Sequence, residues 1–128
     1  MAKHVTTISA AGFDSTTEVG SYSVEIDPTG ESAPDTLESL LGTYAACYIP
    51  ALRVGAEQRS AGELGHIEIA VTGELNENDK LDSIAFAVSV DADLSAETAE
   101  AVIDRANALC KVHDALKADL HATVTIVE

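Results

Sequence analysis

The chain has 128 residues and 46% hydrophobic residues, which is enough to bury a core and indicates a single domain covering residues 1–128. Aromatic residues make up only 4% and Trp is absent, so we expect a core of Ala, Val, Leu and Ile. The formal net charge of −15, with no Lys or Arg cluster, repels nucleic-acid phosphates and anionic lipid headgroups and therefore argues against nucleic-acid and membrane binding.

The first part of the chain is predicted to form strands. Residues 4–10 alternate weakly between polar and apolar side chains, and a bend rich in Gly, Asp and Ser follows at residues 12–15. Residues 21–26 alternate more clearly, as in a half-buried strand. The turn-forming sequence Asp-Pro-Thr-Gly at residues 27–30 ends this strand.

Residues 35–60 are predicted to form the main helix, because apolar side chains recur at spacings of three and four residues. Asp35 as the N-cap and Glu38 at the third helical position fit a capping box. Pro50 removes one helical hydrogen bond, so we expect a kink just beyond Cys47. The apolar face consists of Leu37, Leu40, Leu41, Tyr44, Cys47, Tyr48, Ala51 and Leu52.

After this helix, which Gly62 and Gly65 are expected to end, the pattern returns to strands. Residues 67–75 and 84–90 alternate on either side of a turn at residues 76–80. The two segments are therefore predicted to form an antiparallel hairpin.

The last part of the chain is predicted to form a second helix and a final strand. Ser95 is the expected N-cap, and the apolar face of the helix extends through Cys110 to His113. Another short helical turn ends near Ala118, and residues 122–126 form the strand. The segregation of strands and helices indicates the α+β class rather than a parallel α/β sheet.

The amino terminus gives no sign of export. Residues 1–4 contain no apolar segment or cleavage site, and no stretch approaches the ~20 apolar residues of a membrane span. We therefore expect the protein in the cytoplasm. In that reducing compartment, two cysteines are more often redox-active or inert than joined in a structural disulfide.

The only two cysteines, Cys47 and Cys110, both lie on predicted core-facing helix surfaces. Taken singly, each is most simply a small buried hydrophobic residue. Two thiols that meet can instead act as a peroxidatic and resolving pair. One thiolate attacks the peroxide bond, becomes a sulfenic acid, and condenses with its neighbour.

Other kinds of site have less support. His113 either serves Cys110 as a local base or cation, or is a buried histidine bonded to a carbonyl. A zinc site formed by Cys47, Cys110 and His113 would lack a fourth ligand, and the spacing matches no standard zinc pattern. Residues 91–95 begin like a calcium loop, but Ala96 stands where that loop requires glycine. With no phosphate-binding or serine-hydrolase motif either, we expect neither a metal nor a cofactor.

The segments around both cysteines resemble motifs of the OsmC/Ohr family. Residues 36–47, Thr-Leu-Glu-Ser-Leu-Leu-Gly-Thr-Tyr-Ala-Ala-Cys, are similar to its Pro-x-Glu-Leu-Leu helix, which continues through small and apolar residues to Gly/Ala-Cys. Residues 108–116, Ala-Leu-Cys-Lys-Val-His-Asp-Ala-Leu, are similar to its Cys-Pro-Val-x-x-x-Leu motif. The predicted order of elements also matches along nearly the whole chain, as in a divergent member.

The resemblance implies an OsmC-like α+β fold, with antiparallel sheets packed around the long cysteine-bearing helix, in an intertwined homodimer with active sites at the subunit interface. It implies a thiol peroxidase acting on organic hydroperoxides, with Cys47 peroxidatic, Cys110 resolving, and a dithiol reductant, lipoyl groups among them. Tyr44 and Tyr48 flank Cys47, and the two interpretations are that they line an apolar pocket for the organic substituent or that Tyr44 is simply a core residue. The alternative is a non-catalytic dimer of this fold that binds a small apolar ligand or senses oxidants.

The chain departs from the hydroperoxide-reducing members at two positions. Those members use an Arg from an early loop, whereas Lys3 and His4 are the only early cations here and no Arg precedes Arg53. Their Glu ten residues before the reactive cysteine is replaced by Leu37, while Glu38 fits another branch of the family but is also explained by the capping box. Without these groups, we expect the Cys47 thiol to keep its ordinary pKa of about 8.5.

Overall fold

A computed structural model describes residues 1–127, in which strands and helices are segregated along the chain, and the predicted α+β class is confirmed. The chain divides into a first compact unit, residues 1–40, and a second that begins at Leu41. None of the helices in the described part of the chain is long and apolar enough to cross a membrane. The elements are β1 (Thr6–Ile8), β2 (Ser15–Val19), β3 (Tyr22–Ile26), α1 (Thr36–Gln58), β4 (Ile67–Leu75), β5 (Leu81–Val90), α2 (Ala96–Leu109), α3 (Lys111–Ala115), a 3₁₀ turn (Ala118–Leu120) and β6 (Thr123–Val127).

The first unit contains an antiparallel sheet in the order β1-β2-β3. The strand β2 was not predicted, because Ser-Thr-Thr-Glu-Val has no apolar alternation and forms a strand by pairing with neighbours on both sides. The prediction that β3 is half-buried is wrong for the single chain, since Tyr22 is 76% exposed and Val24 is also exposed. The sheet therefore presents uncovered apolar side chains.

The turn after β3 is organised by Asp27, which is almost completely buried. Its carboxylate accepts hydrogen bonds from the backbone N–H and hydroxyl groups of Thr29 (2.9 and 2.8 Å) and Ser32 (3.0 and 2.9 Å). The backbone N–H of Thr29, followed by that of Ser32, holds the pKa of Asp27 well below its usual range. The predicted turn at residues 27–30 is confirmed, and it directs the chain toward α1.

The capping box predicted at the start of α1 is confirmed. The Glu38 N–H donates to Asp35 Oδ1 at 2.7 Å, and the Asp35 N–H donates to Glu38 Oε1 at 2.9 Å. From this cap the helix is continuous through Pro50 to Gln58, and the kink expected there stays a prediction. The carboxylate of Glu38 therefore has a structural task in closing the first turn of the helix.

Loss of the N-cap is expected to weaken the start of α1 measurably. Asp35→Ala should lower the free energy of unfolding by about 0.5–2 kcal/mol, because a helical N–H group loses its acceptor. Urea unfolding followed by circular dichroism measures this loss. The control is Asp35→Asn, which keeps a capping oxygen and should stay near the wild-type value. Equal midpoints for the Ala variant and the wild type would contradict the assigned cap.

The second unit contains a sheet in the order β4-β5-β6. The predicted hairpin is confirmed, with β4 and β5 antiparallel and Ile69 opposite Val88. The antiparallel pairing expected for the sheets does not extend to β5 and β6, which are parallel with Phe86 opposite Val124. The reason is the long connection through α2 and α3, since strands joined by a helical crossover can run in the same direction.

The core of the second unit forms where α1 and α2 pack against this sheet. At its centre, the Phe86 ring lies 4.7 Å from that of Tyr44 and 5.2 Å from that of Tyr48. The helices approach closely at Gly55, where a Cβ atom would lie 3.2 Å from the Val102 carbonyl oxygen. The buried set comprises Tyr44, Ala45, Tyr48, Ala51, Leu52, Ala56, Leu64, Ile84, Phe86, Val88, Val102, Ala106, Cys110 and Leu120.

The second helix does not continue through Cys110 to His113 as predicted. It ends at Leu109, and Cys110 adopts an extended conformation with φ −73° and ψ 114°. The Cys110 N–H donates to the Ala106 carbonyl, and its Sγ accepts from the His113 N–H at 3.5 Å, so one residue caps both α2 and α3. The extended ψ angle interrupts the helical ladder, and residues 110–113 form a separate turn.

Candidate functional site

The structure brings the two cysteines together. Cys47 comes from the middle of α1 and Cys110 from the junction of α2 and α3, and both are free thiols that lie close enough for each to shift the pKa of the other. Cys110 is only 1% exposed, whereas Cys47 is half-buried. The pair therefore consists of one accessible and one protected sulfur.

The surroundings of Cys47 favour its thiolate. The backbone N–H of Val112 beside the sulfur lowers the pKa of Cys47 against the opposing effect of partial burial. The Cys110 thiol and the backbone N–H and ammonium group of Lys111 lower this pKa further. The expectation of an ordinary thiol pKa is therefore wrong. The turn after Cys110 supplies hydrogen-bond donors and positive charge in place of the early-loop Arg that this chain lacks.

Cys110 behaves in the opposite way. Burial raises the pKa of the Cys110 thiol above its ordinary value, although the backbone N–H of His113 acts against this effect. A thiolate on Cys47 raises the Cys110 pKa further, because two adjacent negative charges repel each other. The first proton to leave the pair therefore comes from Cys47.

This asymmetry predicts the order of alkylation. In the reduced protein, iodoacetamide should label Cys47 at a lower pH than Cys110, because the pKa of Cys47 is lowered and that of Cys110 is raised from the ordinary value for cysteine. Mass spectrometry of the two cysteine peptides measures each rate separately. In urea, where the fold is lost, both cysteines should react alike. Earlier labelling of Cys110 than of Cys47 in the folded protein would refute the assigned asymmetry.

His113 lies in the core of the second unit and is 9% exposed. Its Nδ1 lies 2.6 Å from the Tyr44 Oη, and its ring stacks on that of His121 with centroids 3.8 Å apart. Burial, followed by the proximity of His121, lowers the pKa of His113, while Asp114 raises it. These surroundings favour the neutral ring over the cation, and the partner of His113 is a hydroxyl rather than the expected carbonyl.

Tyr44 and Tyr48 are core residues in this chain, so the prediction that they line a ligand pocket is wrong here. Both are 0% exposed, because their rings pack against Phe86. The Tyr48 hydroxyl donates to Asn107 Oδ1 at 2.7 Å, and the Tyr44 hydroxyl accepts from the Ala122 N–H at 3.0 Å. Burial raises the pKa of both phenols, so both are neutral donors.

Arg53, the first arginine of the chain, does not join the thiol pair. Its Nη1 donates to the Gly65 carbonyl at 2.9 Å. It lines a groove of about 860 Å³ that contains neither cysteine and includes the acidic residues Glu57 and Glu63. Within residues 1–127, no group of three or more His, Cys, Asp or Glu side chains is arranged to hold a metal ion.

Both cysteines were predicted from the sequence, but the groups that shift their pKa values were not. The proximity of Lys111 has a weak sequence signal, since it directly follows Cys110 in the second motif. The role of the Val112 backbone has none, because it depends on the helix break at Cys110. The contact of His113 with Tyr44 joins residues 69 positions apart, which only tertiary structure reveals.

Residues 28–125 match the family model described as OsmC-like protein. An uncharacterised protein of Haloferax volcanii is 39% identical over 121 residues, covering 94% of this chain and 92% of that protein. The crystal structure of an OsmC-like protein from Mycoplasma pneumoniae matches with a TM-score of 0.84 at 18% identity, covering 100% of this chain and 99% of the other. The organic hydroperoxide resistance protein OhrB of Bacillus subtilis matches with a TM-score of 0.72 at 20% identity, covering 99% and 98%. These two likenesses show a shared fold.

Proposed function

Because the chain belongs to the OsmC-like family, we propose that it is a thiol-dependent peroxidase that reduces organic hydroperoxides through Cys47 and Cys110. The observation that carries this proposal is the pairing of an accessible thiol of lowered pKa with a buried thiol of raised pKa. The name of the similar OhrB protein, which refers to organic hydroperoxide resistance, supports the choice of substrate.

The first step of the proposed cycle oxidises Cys47. Its thiolate attacks the terminal oxygen of the hydroperoxide, a sulfur–oxygen bond forms, and the O–O bond breaks. The alkoxide leaves and takes up a proton to become the alcohol, while Cys47 becomes a sulfenic acid. The backbone N–H of Val112 and the charge of Lys111 favour the attacking thiolate, the task that an early-loop Arg performs in hydroperoxide-reducing members.

The second step closes the disulfide. The Cys110 sulfur attacks the Cys47 sulfenic acid, the sulfur–sulfur bond forms, and hydroxide leaves with the Cys110 proton as water. Burial keeps Cys110 protonated and out of reach of solvent until its neighbour is oxidised. An external dithiol of the lipoyl type then reduces the disulfide by thiol exchange and becomes a disulfide itself, so the cycle needs no bound cofactor.

The proposed working form is a homodimer, in which residues 1–128 of each subunit act as one OsmC-like domain. The support is the sheet of the first unit, since a three-stranded sheet needs a covered apolar face to be stable. Size-exclusion chromatography with light scattering should give twice the chain mass, and Phe13→Ser with Tyr22→Ser should shift it toward one chain. A wild-type monomer at all concentrations would contradict the dimer. The exposed apolar residues are Val5, Ile8, Phe13, Val19, Tyr22 and Val24.

The peroxidase assignment is tested by turnover with dihydrolipoamide as the dithiol. Many equivalents of cumene hydroperoxide should be consumed per protein chain, and more slowly when hydrogen peroxide replaces it. Oxidation no faster than that of free cysteine, without turnover, would overturn the proposal. That second result would instead favour a non-catalytic module that binds a small apolar ligand or senses oxidants.

A further inference from the structure

The cycle proposed above leaves unused a buried polar cluster next to the thiols, formed by Tyr44, His113, His121 and the Ala122 backbone. The Tyr44 Oη lies 2.6 Å from His113 Nδ1 and 3.0 Å from the Ala122 nitrogen. The Tyr44 side chain has no exposed surface, and His113 is 9% exposed. A buried polar cluster of this kind is costly unless each member is paired, so its hydrogen bonds have to be assigned.

The hydrogen bonds fix the protonation of His113. The Ala122 N–H can only donate, so it uses one lone pair of the Tyr44 hydroxyl. The hydroxyl proton then needs an acceptor, and His113 Nδ1 is the one in contact. His113 therefore accepts at Nδ1 and carries its proton on Nε2, an assignment that rests on the network. A second proton, on Nδ1, would take up the remaining lone pair of the Tyr44 hydroxyl and leave the hydroxyl proton without its acceptor in a buried site.

The residue that holds this bond also contacts the thiol pair. The backbone N–H of His113 donates to Cys110 Sγ at 3.5 Å. The two preceding residues of the same turn, Lys111 and Val112, place their backbone N–H groups beside Cys47. The position of residues 110–113 therefore determines the surroundings of both sulfurs, and the His113 side chain anchors that turn to α1 through Tyr44.

We propose that Tyr44 and His113 are positioning residues whose hydrogen bond holds the turn of residues 110–113 against the thiol pair, and that protonation of His113 releases it. The consequence for peroxide reduction rests on the proposed function, whereas the effect on the thiols does not. The titratable groups that face His113 are Tyr44 from α1, His121 from the segment before β6, and Cys110 and Asp114 from its own turn.

The sign of the pH effect follows from the burial of the ring. Burial and His121 hold the pKa of His113 below its ordinary value of about 6.5, so the neutral, bonded form predominates at and above that pH and is lost as the pH falls through the lowered pKa. Below its own pKa, a thiol loses reactivity about tenfold per pH unit. Release of the turn adds to this loss, so the reactivity of Cys47 should fall more steeply than tenfold per unit once the pH is below the ordinary histidine value of about 6.5.

The experiment measures iodoacetamide alkylation of Cys47 against pH, resolved by peptide mass spectrometry, and needs no peroxide. Tyr44→Phe and His113→Leu should slow the reaction at neutral pH about tenfold, which corresponds to a rise of one unit in the thiol pKa. His113→Asn places Oδ1 where Nδ1 was and cannot be protonated. At neutral pH its Cys47 should therefore be alkylated within about threefold of the wild-type rate. In acid the rate should fall only by the ordinary tenfold per pH unit. The matched control is Tyr48→Phe, because that hydroxyl bonds Asn107 instead and its loss should leave the pH profile unchanged.

Two outcomes would overturn the proposal. One is a single pH profile shared by the wild type, Tyr44→Phe and His113→Asn. The other is an Asn variant that is as slow as the Leu variant at neutral pH. A general loss of stability would not leave His113→Asn with a normal alkylation rate at neutral pH and, at the same time, remove the steeper fall in acid. His113→Asn and Tyr44→Phe therefore test the proposal even if His113→Leu fails to fold. Absence of peroxidase turnover would overturn the proposed function and leave this result intact.

Discussion

Cys47→Ser is expected to lower the rate of cumene hydroperoxide reduction by roughly 1,000-fold or more, a loss of about 4 kcal/mol of transition-state stabilisation. The reason is that a serine hydroxyl does not ionise near neutral pH, whereas the Cys47 thiol lies beside the Val112 N–H and has a lowered pKa. The measurement is peroxide consumption with dihydrolipoamide in excess.

Cys110→Ser is the matched control, because it removes the other thiol and leaves the proposed attacking sulfur. It should still reduce about one equivalent of hydroperoxide per chain in a first turnover, and then keep a sulfenic acid on Cys47 that dimedone traps. Steady turnover should be slow, since the disulfide cannot form. Full activity in Cys47→Ser, or a complete absence of the first turnover in Cys110→Ser, would contradict the assigned division of labour.

The largest expected loss of stability comes from Phe86→Ala, at about 3–5 kcal/mol. Phe86 is 1% exposed and packs against the rings of both Tyr44 and Tyr48, so its removal leaves a cavity that rigid neighbours cannot fill. A typical domain is stable by only about 5–15 kcal/mol, so this loss is a large fraction of the total free energy of unfolding. Urea unfolding midpoints measure the effect.

Leu75→Ala is the control for Phe86→Ala, since Leu75 lies at the end of β4 and is 50% exposed. It should cost less than about 1 kcal/mol, because its side chain is already half in water. Similar losses in the two variants would show that the aromatic cluster is not the centre of the core. Wild-type stability in Phe86→Ala would contradict the packing outright.

Local patterns in the sequence predicted much of the fold. The capping box of Asp35 and Glu38 depends on residues three positions apart, and the structure has both of its hydrogen bonds. The β4–β5 hairpin depends on alternation around a five-residue turn, and the structure has the antiparallel pair. These elements were predictable because the interactions that decide them lie between near neighbours in sequence.

Elements decided by distant partners were not predictable. The segment Ser15–Val19 has little apolar character and becomes a strand through its two neighbours, and the direction of β6 is decided by the crossover through α2. The break at Cys110 was not predicted, because the apolar spacing continues through His113 although the helical backbone conformation ends at Leu109. Periodicity reports which face is apolar, and it does not report where a helix stops.

The candidate site divides in the same way. The two cysteines and the family motifs around them were visible in the sequence. The proximity of the two thiols was expected because both lie on helices that pack in one core. The lowered pKa of Cys47 was not visible, because its main cause is the backbone N–H of Val112 rather than a charged side chain. A search of the sequence for cationic side chains cannot find a backbone donor.

The central claim is that Cys47 and Cys110 form a redox pair within one chain, and intact-mass analysis of the reduced protein after one equivalent of cumene hydroperoxide tests it most directly. The proposed cycle predicts that each chain loses the mass of two hydrogens within seconds, and that peptide mapping finds Cys47 joined to Cys110. Chains that keep both thiols, or that oxidise no faster than free cysteine, would contradict it.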